Sequence, residues 1–332
     1  MKNKKTNLFI LFIAAILVLY FSLKDDFLGV VKIFSNINIF MFLLAIILFL
    51  ISLIFKALSL TIFLKEYYPD YNLKKAYKLT LISQFLNGIT PFQSGGQPFE
   101  IYLLKKEGKR ITDSTNALLK EQLSFQIALI LTAVFCIILN IIFKVYDNGG
   151  LNFFVIIGLL VNVIVLLILV LIMSTKKIGF RIFNKITDFI YKFKFSVKFP
   201  SREKVNESLK HFYATGLELK KNKISLILSV LSNIINLFIL YIIPLIAFMS
   251  CNNYDISLLD SIIGTSFVML IVNFIPVPGA TGGVEYAFYI FFGNFTKGAV
   301  LTSAMLIWRF ITYAFAVLLG FITLILRKEG KK

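Results

Sequence analysis

The sequence predicts an all-α, polytopic integral membrane protein with six full transmembrane helices and two opposed re-entrant hairpins made of broken helices. Of its 332 residues, 58% are hydrophobic and only 16% are charged, whereas a soluble domain carries about 25% charged residues. Six apolar stretches are long enough to cross a bilayer, and two more are interrupted by glycine and proline. We treat residues 1–332 as a single membrane domain.

The six full spans follow from the length of their apolar stretches. A spanning helix needs roughly 20 mostly apolar residues because the hydrocarbon core is about 30 Å thick. The stretches that meet this requirement are residues 7–23, 37–64, 116–143, 151–173, 224–250 and 298–326. The first follows a lysine-rich start but precedes no small-residue cleavage site, so we expect an uncleaved anchor.

The two interrupted stretches cover residues 79–104 and 258–293. The first contains the sequence NGITPFQSGGQP, and the second contains PVPGATGG. Proline removes a backbone donor, and glycine is costly in a helix interior. Neither stretch is therefore expected to form one continuous helix.

The distribution of positive charge predicts the orientation. The chain has 35 Lys+Arg against 17 Asp+Glu, a net charge of +18, and basic loops favour the cytoplasmic side. The loops 65–78 and 105–120 are both strongly basic, so we expect residues 79–104 to enter and leave the membrane from the cytoplasm. By the same reasoning, we expect residues 258–293 to enter and leave the membrane from the outside. It places both termini in the cytoplasm and the protein in the cell membrane.

The connection 174–223 is the most basic segment, with thirteen Lys+Arg. Its aromatic and aliphatic residues recur at helical spacing, at Phe180, Phe183, Ile186, Ile190 and Phe193. This pattern predicts an amphipathic helix on the cytoplasmic surface against anionic lipid. A solvated connector that obeys the positive-inside rule is the alternative. No nucleic-acid-binding signature accompanies it, so we expect no nucleic-acid partner.

The two interrupted stretches form a weak inverted repeat. The first has the order Asn87, Pro91, Gly95, Gly96 and Glu100, and the second has Asn273, Pro276, Pro278, Gly279, Gly282, Gly283 and Glu285. Paired broken segments in two halves of a transporter mark a substrate site near the midplane. Free N–H groups at helix N-termini suit an anion such as phosphate. The alternative is that the glycines and prolines only permit tight hairpins and close packing.

Two charged residues in the second half strengthen the case for a site. Arg309 lies deep in the last span, and Glu285 follows the second glycine pair. An ionisable residue at this depth costs at least about 2.5–3.5 kcal/mol. The two side chains either neutralise each other as a buried pair, or Arg309 meets a lipid phosphate while Glu285 positions it or exchanges with it. Both interpretations stay open at this point.

The other charged residues in apolar stretches have simpler interpretations. Lys56 is expected to snorkel towards the inner face. Lys120 and Glu121 are expected to lie at a solvated span entrance. Glu100 follows Pro98 and is expected to cap or line the inner hairpin.

The sequence predicts no catalytic residues, no metal site and no cofactor. His211 is the one histidine, and Cys136 and Cys251 are far apart, which excludes a zinc-finger spacing and a disulfide framework. No GxSxG, Walker-type, HExxH or CxxC motif occurs. The connection 174–223 is too short for a separate catalytic domain of ordinary size.

Three motifs resemble the lysylphosphatidylglycerol synthase transmembrane-region family. They are TPFQSGGQPF at residues 90–99, PVPGATGGVE at 276–285 and WRFITY at 308–313. The resemblance covers nearly the whole chain and implies that Pro278, Gly279, Gly282, Gly283, Glu285 and Arg309 correspond to family motif positions. Family members are bacterial and archaeal inner-membrane proteins. The best-known ones join a flippase for aminoacylated phosphatidylglycerol to a cytoplasmic domain that transfers lysine from tRNA, which weakens cationic antimicrobial peptides.

The resemblance implies three functions for this chain. We expect a flippase-like protein that binds or translocates an anionic phospholipid or lipid-linked headgroup, such as phosphatidylglycerol or its lysyl derivative. The chain ends at Lys332, so we expect the transferase domain to be missing. The alternatives are lysyl transfer to phosphatidylglycerol and a non-transporting partner of a separately encoded synthase. The lipid, direction, energy coupling and oligomeric state stay open.

Overall fold

The computed structural model describes residues 27–90, 93–146, 149–174, 222–272 and 277–329. Within these ranges every regular element is helical. The predicted span 7–23, the amphipathic segment of 174–223, Pro91, Asn273 and Pro276 lie outside the described residues.

The helices are named here in chain order. They are α1 (Phe27–Ser35), α2 (Ile39–Tyr67), α3 (Leu73–Ile89), α4 (Gly96–Lys106), α5 (Ile111–Phe143), α6 (Gly149–Ser174), α7 (Lys223–Ser250), α8 (Leu258–Val272), α9 (Gly283–Phe292), α10 (Gly298–Arg309) and α11 (Ala316–Glu329). A 3₁₀ turn covers Pro278–Ala280, and a π-helical turn, Phe310–Phe315, joins α10 to α11.

In the described part of the chain, five helices are long and apolar enough to cross a membrane. They cover Ile39–Tyr67, Ile111–Phe143, Phe153–Leu171, Lys223–Ser250 and Gly298–Arg327. The prediction of an all-helical membrane protein is confirmed at this level. The last of the five is continuous through the π-helical turn.

Each interrupted stretch forms two helices, as predicted. The first gives α3 and α4, and the second gives α8 and α9. Helix α3 begins at Leu73, earlier than predicted, because the Asn72 side chain accepts a hydrogen bond from Lys75 N and caps it. Asn38 and Asn222 cap α2 and α7 in the same way, and such a cap contributes about 1 kcal/mol.

Hydrogen bonds fix which ends of the helices lie together. At one end of the bundle, the Tyr68 hydroxyl donates to Arg110 O, and Arg327 pairs with Glu107. Both ends of the α3–α4 stretch therefore lie at this end.

At the opposite end, Asn38 N donates to Ser250 O. The Tyr146 hydroxyl donates to Asp260 O near the start of α8, and the Tyr146 ring contacts Phe295 just beyond α9. Both ends of the α8–α9 stretch therefore lie at the second end of the bundle.

The packing is that of a membrane bundle. Large apolar side chains face outward, including Phe40, Ile141 and Ile224, which are 80%, 68% and 71% exposed. Small polar groups lie inside, where they bond across helices. The Asn233 side chain donates to Ser59 and Ser124, and the Ser229 hydroxyl bonds to both serines. This network joins α2, α5 and α7.

The expectation that Lys120 and Glu121 lie at a solvated boundary is wrong. Lys120 is 1% exposed and Glu121 is 8% exposed. Lys120 Nζ lies 2.8 Å from Glu66 Oε2 and donates to the Tyr67 hydroxyl. The end of α2 brings Glu66 and Tyr67 to this part of α5, so the lysine is buried with its partners and not solvated.

Candidate functional site

A cavity of about 580 Å³ lies where the two broken segments meet. It is lined by residues of every helix from α2 to α9 and of the last span, together with Gly279 of the 3₁₀ turn. Its amide-bearing lining residues are Gln84, Asn87, Gln93, Gln97, Gln122, Gln126, Asn162 and Asn236. So many amides inside an apolar bundle are costly unless they meet polar partners or a polar ligand.

Arg309 ends α10 and lines this cavity. Its Nε lies 2.7 Å from Glu285 Oε1, and the two side chains are 13% and 9% exposed. The ion pair that the sequence offered as one interpretation is therefore present. Arg309 Nη2 also donates to Gly279 O at 3.1 Å.

Not every N–H group of the Arg309 guanidinium is hydrogen-bonded to the described residues. A guanidinium has five N–H groups in a fixed fork. Nε faces Glu285, and Nη2 donates to Gly279 O and, at 3.4 Å, to Thr281 Oγ1. Among the described residues, Nη1 has no hydrogen-bond acceptor. Arg309 is therefore a positively charged side chain that protein contacts hold in place, and its two Nη1 N–H groups are available to a ligand.

Glu285 lies outside the cavity lining and holds Arg309 in place. It is the third residue of α9, and its Oε2 accepts a hydrogen bond of 2.6 Å from Gly282 N. One carboxylate therefore caps the helix that follows the glycine pair and also pairs with the arginine. Gly282, Gly283 and Glu285 therefore support the residues that line the cavity.

The turn Pro278–Ala280 needs glycine at its centre. Gly279 has φ 62° and ψ 11°, a left-handed conformation that costs other residues about 1–2 kcal/mol. A Cβ at Gly279 would also collide with the Tyr313 ring. The close approach matters because Gly279 O is the acceptor for Arg309.

Replacing Gly279 by alanine is expected to disturb the site more than its backbone strain alone would. Both G279A and G108A place a side chain at positive φ, but a Cβ at Gly108 would meet nothing within 4 Å. We expect G108A to lower the free energy of unfolding by about 1 kcal/mol. G279A must also displace Tyr313, so we expect a larger loss, measured by thermal unfolding in detergent. Equal stability of the two variants would contradict this role of Gly279.

Tyr313 connects the two broken segments, and the sequence did not single it out. Its hydroxyl donates to Gly88 O of α3 at 3.2 Å, and its ring centroid lies 4.6 Å from the Arg309 guanidinium carbon. It belongs to the π-helical turn, a rare form that is frequent at functional sites. Thr312 of the same turn also lines the cavity.

The first broken segment is held by its own side chains. Thr90 Oγ1 donates to Leu86 O and accepts from Gly95 N. Asn87 Oδ1 accepts from Gly96 N at 2.8 Å. Asn87 thus caps α4, where the sequence pattern alone suggested ligand binding, and it also lines the cavity.

The charged residues of the cavity include two that the sequence did not assign to a site. Lys56 lines the cavity, and its Nζ lies 5.7 Å from the centroid of the Phe125 ring. Its snorkelling towards the inner face stays a prediction. Glu121 and Glu100 line the same cavity. The sequence did contain a signal that one face of the predicted span 116–143 is polar. Gln122 and Gln126 are four residues apart, and such residues share a helix face.

The predicted site residues separate into three groups. Asn87, Glu100, Gly279 and Arg309 line the cavity. Gly95, Gly96, Pro278, Gly282, Gly283 and Glu285 lie in the turns and caps around it. Pro91 and Pro276 lie outside the described residues.

Comparison with known proteins identifies the family. A family model described as the lysylphosphatidylglycerol synthase TM region matches residues 7–320, nearly the whole chain. No curated protein and no solved structure matches the chain. The family points to a function in the membrane that concerns lipids. The chain belongs to the lysylphosphatidylglycerol synthase transmembrane-region family.

Proposed function

We propose that this protein is a lipid flippase that binds the phosphate of an anionic phospholipid or lipid-linked headgroup at Arg309. The observation that carries the proposal is the Nη1 group of Arg309, which lacks an acceptor among the described residues, on a side chain that lines the amide-rich cavity. A guanidinium N–H group donates a short, charge-assisted hydrogen bond to a phosphate oxygen. Phosphatidylglycerol and its lysyl derivative are the lipids that the family suggests.

A cavity of this kind lowers the barrier to headgroup transfer. A phosphate in hydrocarbon loses its hydration at a cost of many kcal/mol, as any bare charge does. The amide side chains of the cavity and the held arginine replace part of that hydration. The volume of about 580 Å³ falls in the range of small-molecule sites, so the headgroup fits inside while the acyl chains stay in the bilayer.

The arrangement of the broken segments supports transfer between leaflets. The α3–α4 segment opens towards one end of the bundle and the α8–α9 segment towards the other. Transporters built on inverted repeats bind substrate where two such segments meet. In our proposal the α3–α4 segment and both termini face the cytoplasm, because the loops at that end carry most of the basic residues.

Leaflet exchange in proteoliposomes tests the proposal. Purified protein is reconstituted with fluorescent analogues of phosphatidylglycerol and phosphatidylcholine, and a membrane-impermeant quencher reports which leaflet holds the probe. We expect exchange of the phosphatidylglycerol probe well above that of empty vesicles and little exchange of the phosphatidylcholine probe. Rates equal to empty vesicles across a panel of anionic lipids would refute flipping.

The family description supports a second candidate, because it names a synthase. In this alternative the chain transfers lysine from lysyl-tRNA to phosphatidylglycerol, or recruits a separate protein that does. Membranes containing the protein are incubated with labelled lysyl-tRNA. Labelled lipid formed by the purified chain would favour transfer. Labelled lipid formed only with a co-purifying protein would favour recruitment.

A further inference from the structure

Two carboxylates and a lysine form a second charged group in the cavity. Glu100 of α4 and Glu121 of α5 are 7% and 8% exposed, and both line the cavity together with Lys56 of α2. Both carboxylates and the lysine therefore share one largely buried space. Among the described residues, Lys56 forms no ion pair within 4 Å. With both acids ionised, these three residues carry a net charge of −1.

The described residues around this acidic group do not supply a hydrogen-bond partner for every carboxylate oxygen. Oε1 of Glu121 has no hydrogen-bond partner in the described part of the chain. Buried polar atoms almost always have partners, and a buried carboxylate pair tends to share one proton because two adjacent negative charges repel. A proton on one acid would make the three-residue group neutral.

Other polar atoms around the cavity also lack partners, independently of the acids. Asn236 is 1% exposed and lines the cavity, and its Oδ1 has no partner among the residues described. Trp308, the residue before Arg309, also lines the cavity, and its Nε1 has no hydrogen-bond partner among the residues described. Both residues line the cavity, so the polar groups around it are not all paired within the described part of the protein.

We propose that Glu100 and Glu121, together with Lys56, form a proton-binding site that is linked to headgroup binding at Arg309, so that the anionic lipid crosses the membrane together with a proton. This inference rests on the proposed function. The proton comes from water in the cavity and forms an O–H bond with a carboxylate oxygen, and no bond of the lipid changes. The headgroup adds one negative charge and the proton adds one positive charge, so the loaded cavity keeps the net charge of the empty one.

The linkage follows from sharing one low-dielectric cavity. A negative headgroup favours the neutral form of a nearby carboxyl group, and the neutral carboxyl group favours the headgroup to the same extent. The titratable or charged groups that face the two acids are Lys56, Arg309 and Tyr313 in the cavity and Tyr71 beyond Glu100. Glu107 and Arg327 pair with each other and do not line the cavity. Headgroup affinity should therefore fall as the pH rises.

Proton uptake during binding tests the linkage. The full-length protein in detergent is titrated with a short-chain phosphatidylglycerol in buffers of different ionisation enthalpy, which gives the number of protons taken up. At a pH where the carboxyl pair is partly protonated, we expect uptake of up to about one proton per headgroup. Above that range the affinity should fall by up to about tenfold per pH unit. A parallel titration with glycerol phosphate shows whether the headgroup alone is sufficient.

Proton uptake and headgroup binding are next compared between the wild type and the variants E100Q and E121Q. Each keeps the shape of the side chain, so headgroup binding should persist while proton uptake falls to near zero. E107Q is the matched control, because Glu107 is an acid outside the cavity, and it should behave as the wild type. Removing the lysine charge in K56M should move the pH of half-maximal uptake upward, which a purely structural lysine would not do.

The possible failures are distinguishable. Headgroup binding without proton uptake in the wild type would overturn the linkage and leave the headgroup site standing. Unchanged uptake in both E100Q and E121Q would also overturn it. If the wild type bound no anionic probe at any pH, the proposed function would fail, and the linkage with it.

Discussion

Replacing Arg309 by glutamine is expected to reduce exchange of an anionic lipid by at least about 100-fold. The reason is the loss of two charge-assisted hydrogen bonds from Nη1 to phosphate, worth about 1.5–3 kcal/mol each, where every 1.4 kcal/mol is a factor of ten. Lysine should not restore the rate fully, because R309K keeps the charge but loses the planar fork. The measurement is the initial rate of leaflet exchange at equal protein density.

This variant needs a control for stability, because R309Q also leaves Glu285 without its cation. An unpaired buried charge can destabilise a protein by about 3–5 kcal/mol. The double variant R309Q/E285Q removes both charges, so its stability should return towards that of the wild type while exchange stays low. R327Q controls for the loss of an arginine from an ion pair outside the cavity. Normal exchange in R309Q/E285Q would mean that Arg309 does not bind the headgroup.

Replacing Glu66 by alanine is expected to destabilise the helix bundle by up to about 3 kcal/mol, because it removes a carboxylate that pairs with the buried Lys120 ammonium. Lys120 is 1% exposed and lies 2.8 Å from Glu66 Oε2. The second oxygen, Oε1, accepts a hydrogen bond of 2.7 Å from the Asn222 side chain. Glu66 therefore joins the end of α2 to α5 and to the start of α7. Thermal unfolding in detergent, followed by helical circular dichroism, measures the loss.

A charge-free replacement separates the ion pair from packing. The double variant E66L/K120M removes both charges and keeps their volume, so it should recover most of the stability that E66A loses. D113A serves as the surface control, because Asp113 pairs with Arg110, whose side chain is 82% exposed, and such pairs contribute at most about 1 kcal/mol. An E66A protein as stable as D113A would show that the pair contributes little.

Some features of the site could be predicted because they are local in sequence. The glycine and proline clusters predicted both breaks, and the structure has α3–α4 and α8–α9 at those positions. Arg309 stood out as a charge deep in an apolar span, which is rare unless the residue has a partner or a function. Glu285 was named as its candidate partner, and the two are 2.7 Å apart.

Other features depend on which face of each helix turns inward. Lys56 and Glu121 lie in helices that are apolar on nearly every side, so hydrophobic periodicity does not identify the inner face. Their places in the cavity follow from the packing of α2 and α5 against α7. The hydrogen bond from Tyr313 to Gly88 joins residues 225 positions apart, a separation at which local sequence carries no information.

The sequence by itself therefore determined that this is a helical membrane protein of the lysylphosphatidylglycerol synthase transmembrane-region family, with two broken segments. It also named Arg309 and Glu285 as candidate partners. Composition and chain breaks suffice for this, because a bilayer admits spanning helices and tolerates broken ones only where their backbone is buried or solvated. Only the tertiary structure decided that both breaks open on one cavity and that Lys56, Glu100 and Glu121 share it with Arg309. The physical reason is that a polar side chain in a bundle is placed by the helices packed around it, not by its own helix.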